Sequence, residues 1–220
     1  MSIFKKILRA DFDITAGYKE PGYSLPRHGN PDEGDDYLYD VREDGYFKPI
    51  LAALRKHYPD ATQRLSVLQI ASGYGQLGTE LEEENAEPIL MDISQSNIRW
   101  GKKHGTFGGI CANAVKIPLK DNSVDLAVSD HFIYANYWMV QYGEEQAIVD
   151  EVLRVLKDDG ILMLYHHHLQ SSSFHSDAPY LAQNFNLLEH ETYRICSSLL
   201  IILQKKTKDG SPSTFALKQE

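Results

Sequence analysis

The sequence predicts an α/β fold, a mostly parallel sheet with helices on both faces, and three observations carry that prediction. Apolar runs of strand length alternate with segments of helical periodicity through most of the chain. Each parallel crossover needs a helix-length connection, so this alternation builds a sheet covered on both sides. At one junction, LSVLQIASGYGQLG (65–78), an apolar run passes directly into a glycine turn and a helix start. Near the C-terminal end LLEHETYR alternates, and SSLLIILQKK follows after a turn-length gap, the pattern of a terminal hairpin.

Taken in order, residues 1–42 read as an N-terminal arm or lid on a single domain that spans 1–220. The first residues are amphipathic, with Ile3, Phe4, Ile7 and Leu8 set against Lys5, Lys6 and Arg9. The stretch YKEPGYSLPRHGNPDEGDDYLYD is dense in Pro, Gly, Asp and Tyr. A plain surface arm accounts for it, while Tyr18, Tyr23, Tyr37 and Tyr39 would give a closing lid apolar faces with a hydroxyl handle. From Gly45 to Tyr58, Phe47, Ile50, Leu51 and Leu54 recur at helical spacing, and Pro49 sits in the first turn, where proline is tolerated. Strand one is 65–71, the helix QLGTELEEENA follows, PILMDI is strand two, and SQSNIRWGKKHG is a helix capped by Ser94. A short third strand lies near GGICANA. SVDLAVSDHFIYA contains a buried strand around Val124, Leu126, Ala127 and Val128, and a helix runs from about Glu144 to Lys157. Asp158, Asp159 and Gly160 end that helix, ILMLYHHH is strand five, and APYLAQNF is a last short helix before the hairpin.

Composition narrows the function classes. With 220 residues, 42% of them hydrophobic and 24% charged, the chain fits one globular domain with an ordinary core. No run reaches the roughly 18 apolar residues of a membrane span. MSIFKKILRADFD carries an acid where the apolar part of a signal peptide would continue, so a cytoplasmic protein is expected. The net charge is −9 and the basic residues are scattered, which argues against nucleic acid as a partner, because positive surface supplies most of that affinity. A small molecule is the expected partner. Cys111 and Cys196 stand too far apart to suggest a metal pair and are expected to be buried free thiols. Nothing in the sequence specifies an oligomeric state.

The 65–78 junction has the chemistry of a ligand site. Glycines let the backbone turn sharply and leave no Cβ in the way of a bound molecule, while the N–H groups of the first helical turn face the same space. Asp92 ends the next apolar segment, PILMD, where an acid can accept hydrogen bonds from both hydroxyls of a ribose. A nucleoside-containing ligand follows, although Gly73, Gly75 and Gly78 alone would also fit a bare turn with a close helix contact.

Four ordered blocks then become recognisable together. VLQIASGYGQLGTEL resembles the first motif of class I S-adenosylmethionine-dependent methyltransferases, and PILMDIS resembles their second-strand acid. ANAVKIPLKDNSVDLAVSDHFIYA resembles their segment from the adenine-binding residue through the fourth strand, and EVLRVLKDDGILML is similar to their following helix and fifth strand. The resemblance covers about residues 45–206 and implies a Rossmann-like seven-stranded sheet, mostly parallel, with an antiparallel C-terminal strand. It implies S-adenosyl-L-methionine as cofactor, with the Gly73, Tyr74 and Gly75 backbone along its methionine part. Asp92 would take the ribose hydroxyls, Ile93 would pack on the adenine, Asn113 and Ala114 would meet the adenine edge, and Ser129 would face the methionine amino group and the substrate.

The chain departs from the family pattern at two cofactor positions. Gln69 stands where an acid usually helps anchor the cofactor's ammonium end, and Ala71 stands where a glycine is usual. A neutral amide weakens the charge-assisted part of that contact while keeping a carbonyl acceptor. The leading function is therefore methyl transfer to a small-molecule acceptor, and the alternative is a catalytically inactive methyltransferase-like binding or assembly subunit. A nicotinamide dinucleotide site fits worse, because its first glycine should follow the strand immediately, where Ala71 and Ser72 stand.

Methyl transfer asks mainly for in-line positioning, and a base is useful only where the acceptor must lose a proton. His131, just past strand four, and His166 and His168, at the end of strand five, are the candidate catalytic bases. Alternation puts His166 and His168 on one face and His167 on the other. A hydrogen-bonded histidine cluster without a catalytic role accounts for them equally well. No carboxylate or further histidine stands at a convincing metal-ligand spacing, so no metal is expected. Asp130 would orient His131 or cap the following helix, and Tyr134, Tyr137, Trp138 and Tyr142 read as core or cleft wall.

Overall fold

The computed structural model describes residues 45–59, 64–103, 109–130, 132–133, 144–167, 172–193 and 198–207. The N-terminal arm, His131, His168, Cys196 and the aromatic run from Tyr134 to Tyr142 lie outside the described residues.

The elements follow the predicted alternation. They are α1 (Lys48–His57), β1 (Leu65–Ile70), α2 (Gln76–Glu83), β2 (Ala86–Asp92), α3 (Gln95–Lys103), β3 (Gly109–Cys111), β4 (Val124–Asp130), α4 (Glu144–Val155), β5 (Leu156–His167), α5 (Ser172–Asn184), β6 (Phe185–Tyr193) and β7 (Ser198–Lys205). They form a seven-stranded sheet in the order β3-β2-β1-β4-β5-β7-β6. The strands β1 to β5 pair in parallel, and β7 runs antiparallel to both β5 and β6. The expected antiparallel C-terminal strand is β7. It lies between β5 and β6.

Alternating side chains divide the core into two layers. On one face Val67, Leu126, Val128, Met163 and Ile202 pack under Ile50 and Leu54 of α1 and Leu77 and Leu81 of α2. On the other, Leu68, Ile70, Ala127, Leu164 and Ile201 pack under Ile148, Val149 and Val152 of α4 and Leu181 of α5. Burial on both faces explains why the central strands read as continuous apolar runs instead of alternating ones. Ser94 caps α3 as expected, its Oγ accepting the Asn97 N–H at 3.3 Å.

Two boundaries differ from the sequence reading. The helix α4 stops at Val155, and β5 already begins at Leu156, so Asp158, Asp159 and Gly160 lie within the strand and do not terminate the helix. Pairing with β4 shifts register between Val124 and Leu126, and Asp159 takes a left-handed φ of 69° at that irregularity. An acid-rich stretch next to a glycine reads as a helix stop, whereas here it bends a strand. The helix α5 also begins earlier than APYLAQNF, at Ser172, with Pro179 inside it.

Candidate active site

The strand order reverses between β1 and β4. From β1 the chain moves outward through β2 and β3, then returns to β4 on the other side of β1. Such a switch point leaves a crevice at the C-terminal ends of the strands, where ligands of open α/β sheets bind. The glycine turn, Asp92, Ser129 and Asp130 all stand at those ends.

The turn after β1 is built from alternate left-handed residues, Ala71 (φ 54°), Gly73 (φ 55°) and Gly75 (φ 79°). Glycine adopts that conformation without cost, and Gly75 uses it to start α2. A Cβ on Gly73 would meet nothing within 4 Å, so the turn presents bare backbone to open space. Ala71 adopts the left-handed conformation despite its methyl group, so the usual glycine's shape is kept at a cost in strain. The Ser72 N–H donates to the Met91 carbonyl at 2.9 Å and the Gly75 N–H to the Ser72 carbonyl at 2.9 Å, which ties the turn to β2 and to itself.

Asp92 joins the two strand ends. Its Oδ2 accepts the Gly73 N–H at 2.8 Å and its Oδ1 accepts the Ser94 N–H at 2.8 Å. The side chain is buried, and each carboxylate oxygen keeps a second lone pair for a ligand hydroxyl. Next to it Ile93 is 71% exposed, a large apolar side chain held out at the sheet end. Asn113 is exposed and its Oδ1 accepts the Val115 N–H at 3.1 Å, while Ala114 is buried in the core.

Three buried polar atoms around the turn have no hydrogen-bond partner among the described residues: Gln69 Oε1, Ser72 Oγ and Gln76 Nε2. Burial without a partner costs free energy, so these atoms mark where a polar ligand would be received. They fit the amino-acid end of a nucleoside cofactor better than an apolar molecule.

At the end of β4, Ser129 is fully buried and its Oγ accepts the Ile133 N–H at 2.9 Å, which shapes the turn that follows. Asp130, the next residue, faces the α1 layer. Its Oδ1 accepts the Tyr46 hydroxyl at 2.8 Å, and the Tyr46 ring packs edge-on against Tyr165 of β5. Burial pushes the Asp130 carboxyl up to about 7, and the Tyr46 hydrogen bond only partly opposes the shift. The sequence reading assigned Asp130 a minor part and did not single out Tyr46. The signal was an acid at the end of a buried strand. Its partner lies 84 residues away and only the fold brings it there.

His166 is buried, and by alternation with Leu162 and Leu164 it belongs to the α4 and α5 layer, opposite Asp130. No group of three or more His, Cys, Asp or Glu residues suited to a metal occurs among the described residues. Cys111 corrects the expectation of a buried thiol. It is a free, exposed residue on the edge strand β3, with its Sγ donating to the Ile93 carbonyl at 3.4 Å. On an edge strand of three residues there is no second sheet neighbour to cover it.

A second constellation holds the segment after Ala114 in place. Arg154 donates to the Ile117 carbonyl (2.7 Å), the Leu119 carbonyl (2.8 Å), Asp121 (2.7 Å) and both oxygens of Glu151 (2.8 Å each). Glu151 Oε2 also accepts the Ile117 N–H at 2.7 Å. The Arg154 guanidinium holds the Glu151 carboxyl below the usual carboxylate range. The E-x-x-R spacing of the sequence is thus a clamp on the 117–121 loop, a structural role.

Comparison with known proteins agrees with this arrangement. Residues 68–164 match the family model described as a methyltransferase domain. The biotin biosynthesis bifunctional protein BioHC of Cellvibrio japonicus (strain Ueda107) is 26% identical over 118 residues, 53% of this chain. The match spans 22% of the length of that curated relative. A SAM dependent methyltransferase from Aquifex aeolicus superposes with a TM-score of 0.60 at 14% identity, covering 80% of this chain and 98% of that one. The Burkholderia thailandensis 1,6-didemethyltoxoflavin-N1-methyltransferase, solved with 1,6-didemethyltoxoflavin and S-adenosylhomocysteine, superposes at 0.55 with 12% identity, covering 80% and 87%. At these identities the structures speak for the fold alone. The family match over residues 68–164, the sheet order and the glycine turn with its acid agree: this part of the chain resembles a methyltransferase domain and has its fold.

Proposed function

We propose that this chain methylates a small-molecule acceptor, with S-adenosyl-L-methionine received at the turn after β1 and the acceptor at the adjoining ends of β4 and β5. The observation that carries the reading is Asp92, whose carboxylate bridges the Gly73 and Ser94 N–H groups at the mouth of the switch-point crevice. In this position it takes the ribose hydroxyls. Ile93 offers an apolar surface to the adenine, and Asn113 and Ala114 border it. The Gly73, Tyr74 and Gly75 backbone, with Gln69, Ala71 and Ser129 behind it, lines the methionine end.

When bound, the cofactor supplies a methyl group already activated on a sulfonium, so the protein's task is positioning and exclusion of water. His131, His166 and His168 are the residues of the reading that would take a proton from an acceptor that must lose one. A small molecule is favoured over nucleic acid by the net charge of −9, and the BioHC and toxoflavin methyltransferase relatives are consistent with it. Among the described residues no helix is long and apolar enough to cross a membrane. The free Cys111 thiol suits the reducing cytoplasm that completes the reading.

Incubating the protein with methyl-labelled S-adenosylmethionine and a fractionated cell extract tests it. Label is expected in the low-molecular-weight fraction. Label appearing only in RNA, DNA or protein would overturn the small-molecule assignment.

A further inference from the structure

Glu151 and Arg154 share one face of α4 and treat Ile117 as a neighbouring strand would. Glu151 Oε2 accepts the Ile117 N–H at 2.7 Å, and Arg154 Nη2 donates to the Ile117 carbonyl at 2.7 Å. Both backbone groups of one residue are thus met by side chains of a single helix. Arg154 Nη2 also donates to Glu151 Oε2 at 2.8 Å, which holds the pair together, and the Ile117 side chain is buried in the layer under α4. Five residues earlier the Ala112 N–H donates to the Asp92 carbonyl at 3.0 Å. Between these two anchors the chain closes on itself: the Lys116 N–H donates to the Asn113 carbonyl at 3.0 Å and the Val115 N–H to Asn113 Oδ1 at 3.1 Å. A turn this short, pinned at both ends, has one place to put Asn113. Released from α4, it would be tied only at β2.

We propose that Glu151 and Arg154 are positioning residues for base recognition: from α4 they fix the 113–116 turn, and with it Asn113, at the adenine end of the site that starts at Asp92. The inference rests on the proposed binding of S-adenosylmethionine there. An ion pair suits the task, because hydrogen bonds to ionised groups are stronger than neutral ones. Asp92 joins the two halves of the frame. Its carboxylate bridges the Gly73 and Ser94 N–H groups while its carbonyl holds Ala112, so the ribose and base contacts share one support. The clamp therefore sets the far wall of the nucleoside site as well as bracing the 117–121 loop.

Calorimetric titration of the full chain with S-adenosylhomocysteine, well below the unfolding midpoint of every variant, tests this through a double-mutant cycle. Glu151→Gln and Arg154→Lys are each expected to weaken binding by about fivefold, the effect of one misplaced hydrogen bond. Asn113→Ala is expected to weaken it by about as much or more. Glu151→Gln added to Asn113→Ala should then cost less than about a further twofold, because Glu151 acts through Asn113. A purely structural role for the clamp would make the two effects multiply. The proposal is overturned by that multiplication, or if any of the three single variants binds S-adenosylhomocysteine like the parent. A parent protein that binds no S-adenosylhomocysteine would instead overturn the cofactor site itself.

Discussion

Asp92→Asn is the sharpest single test of the site, because the substitution keeps the shape of the side chain and changes only what its atoms can accept. Both carboxylate oxygens receive backbone N–H groups, from Gly73 and from Ser94, each at 2.8 Å. An asparagine has one carbonyl oxygen, so its amide nitrogen must face one of these donors. One hydrogen bond to a charged acceptor is lost and a buried N–H is left unmet, a cost of about 2–3 kcal/mol. For a chain of this size that lowers the thermal midpoint by roughly 4–12 °C. Urea unfolding followed by circular dichroism, with a common slope for both proteins, measures the change directly. On the proposed role of Asp92 toward the ribose, calorimetry should show S-adenosylhomocysteine affinity reduced by about tenfold to a hundredfold. An unchanged urea midpoint would show that the carboxylate does not hold the turn. Unchanged affinity in a folded variant would show that the ribose lies elsewhere.

Other expected outcomes follow from the same geometry. Ala71 is held at φ 54°, so Ala71→Gly should stabilise the protein by about 0.5–1 kcal/mol, the relief of left-handed strain less the added freedom of the unfolded chain. A loss of stability in the urea assay would mean that the methyl group packs usefully. Arg154→Lys cannot reach two carbonyls and two carboxylates together, and with Arg154 31% exposed the loss should be about 1–2 kcal/mol. Thermal unfolding checks it, and an unchanged midpoint would remove the clamp on 117–121. The Asp130 carboxyl lies near 7 in the folded chain against an ordinary value of 3.8. Between these values the folded chain holds a proton that the unfolded chain has released. This group's stabilising effect is therefore full below about pH 4 and lost as pH rises through about 7, on the order of 4 kcal/mol. Tyr46 and Tyr165 face Asp130, with His166 on the opposite face of β5 and His131 next along the chain, so Asp130→Asn is the reference. Parallel stability curves for parent and variant from pH 5 to pH 8 would refute the raised carboxyl.

Much of this protein was legible in its sequence because the signals are local. A strand buried on both faces must be apolar, as Leu126 to Val128 is, and a backbone that turns sharply into a helix needs left-handed residues, as Gly73 and Gly75 provide. These periodicities and turn residues determined the alternation of elements, the terminal hairpin and the position of Asp92 beside the turn. The reading failed at Asp158 to Gly160, where the residue types that stop a helix also bend a strand, and pairing with β4 decides between the two. It failed likewise at Cys111, because exposure depends on β3 lying at the edge of the sheet. The tertiary structure alone decided which polar atoms surround the glycine turn and which charge stands across from Gln69. Tyr46 and Asp130 are 84 residues apart, and no periodicity couples them. The sequence determined the strands and the turn because hydrophobic pattern and backbone freedom act over a few residues. The electrostatics of the crevice had to wait for the fold, because they depend on which strands become neighbours.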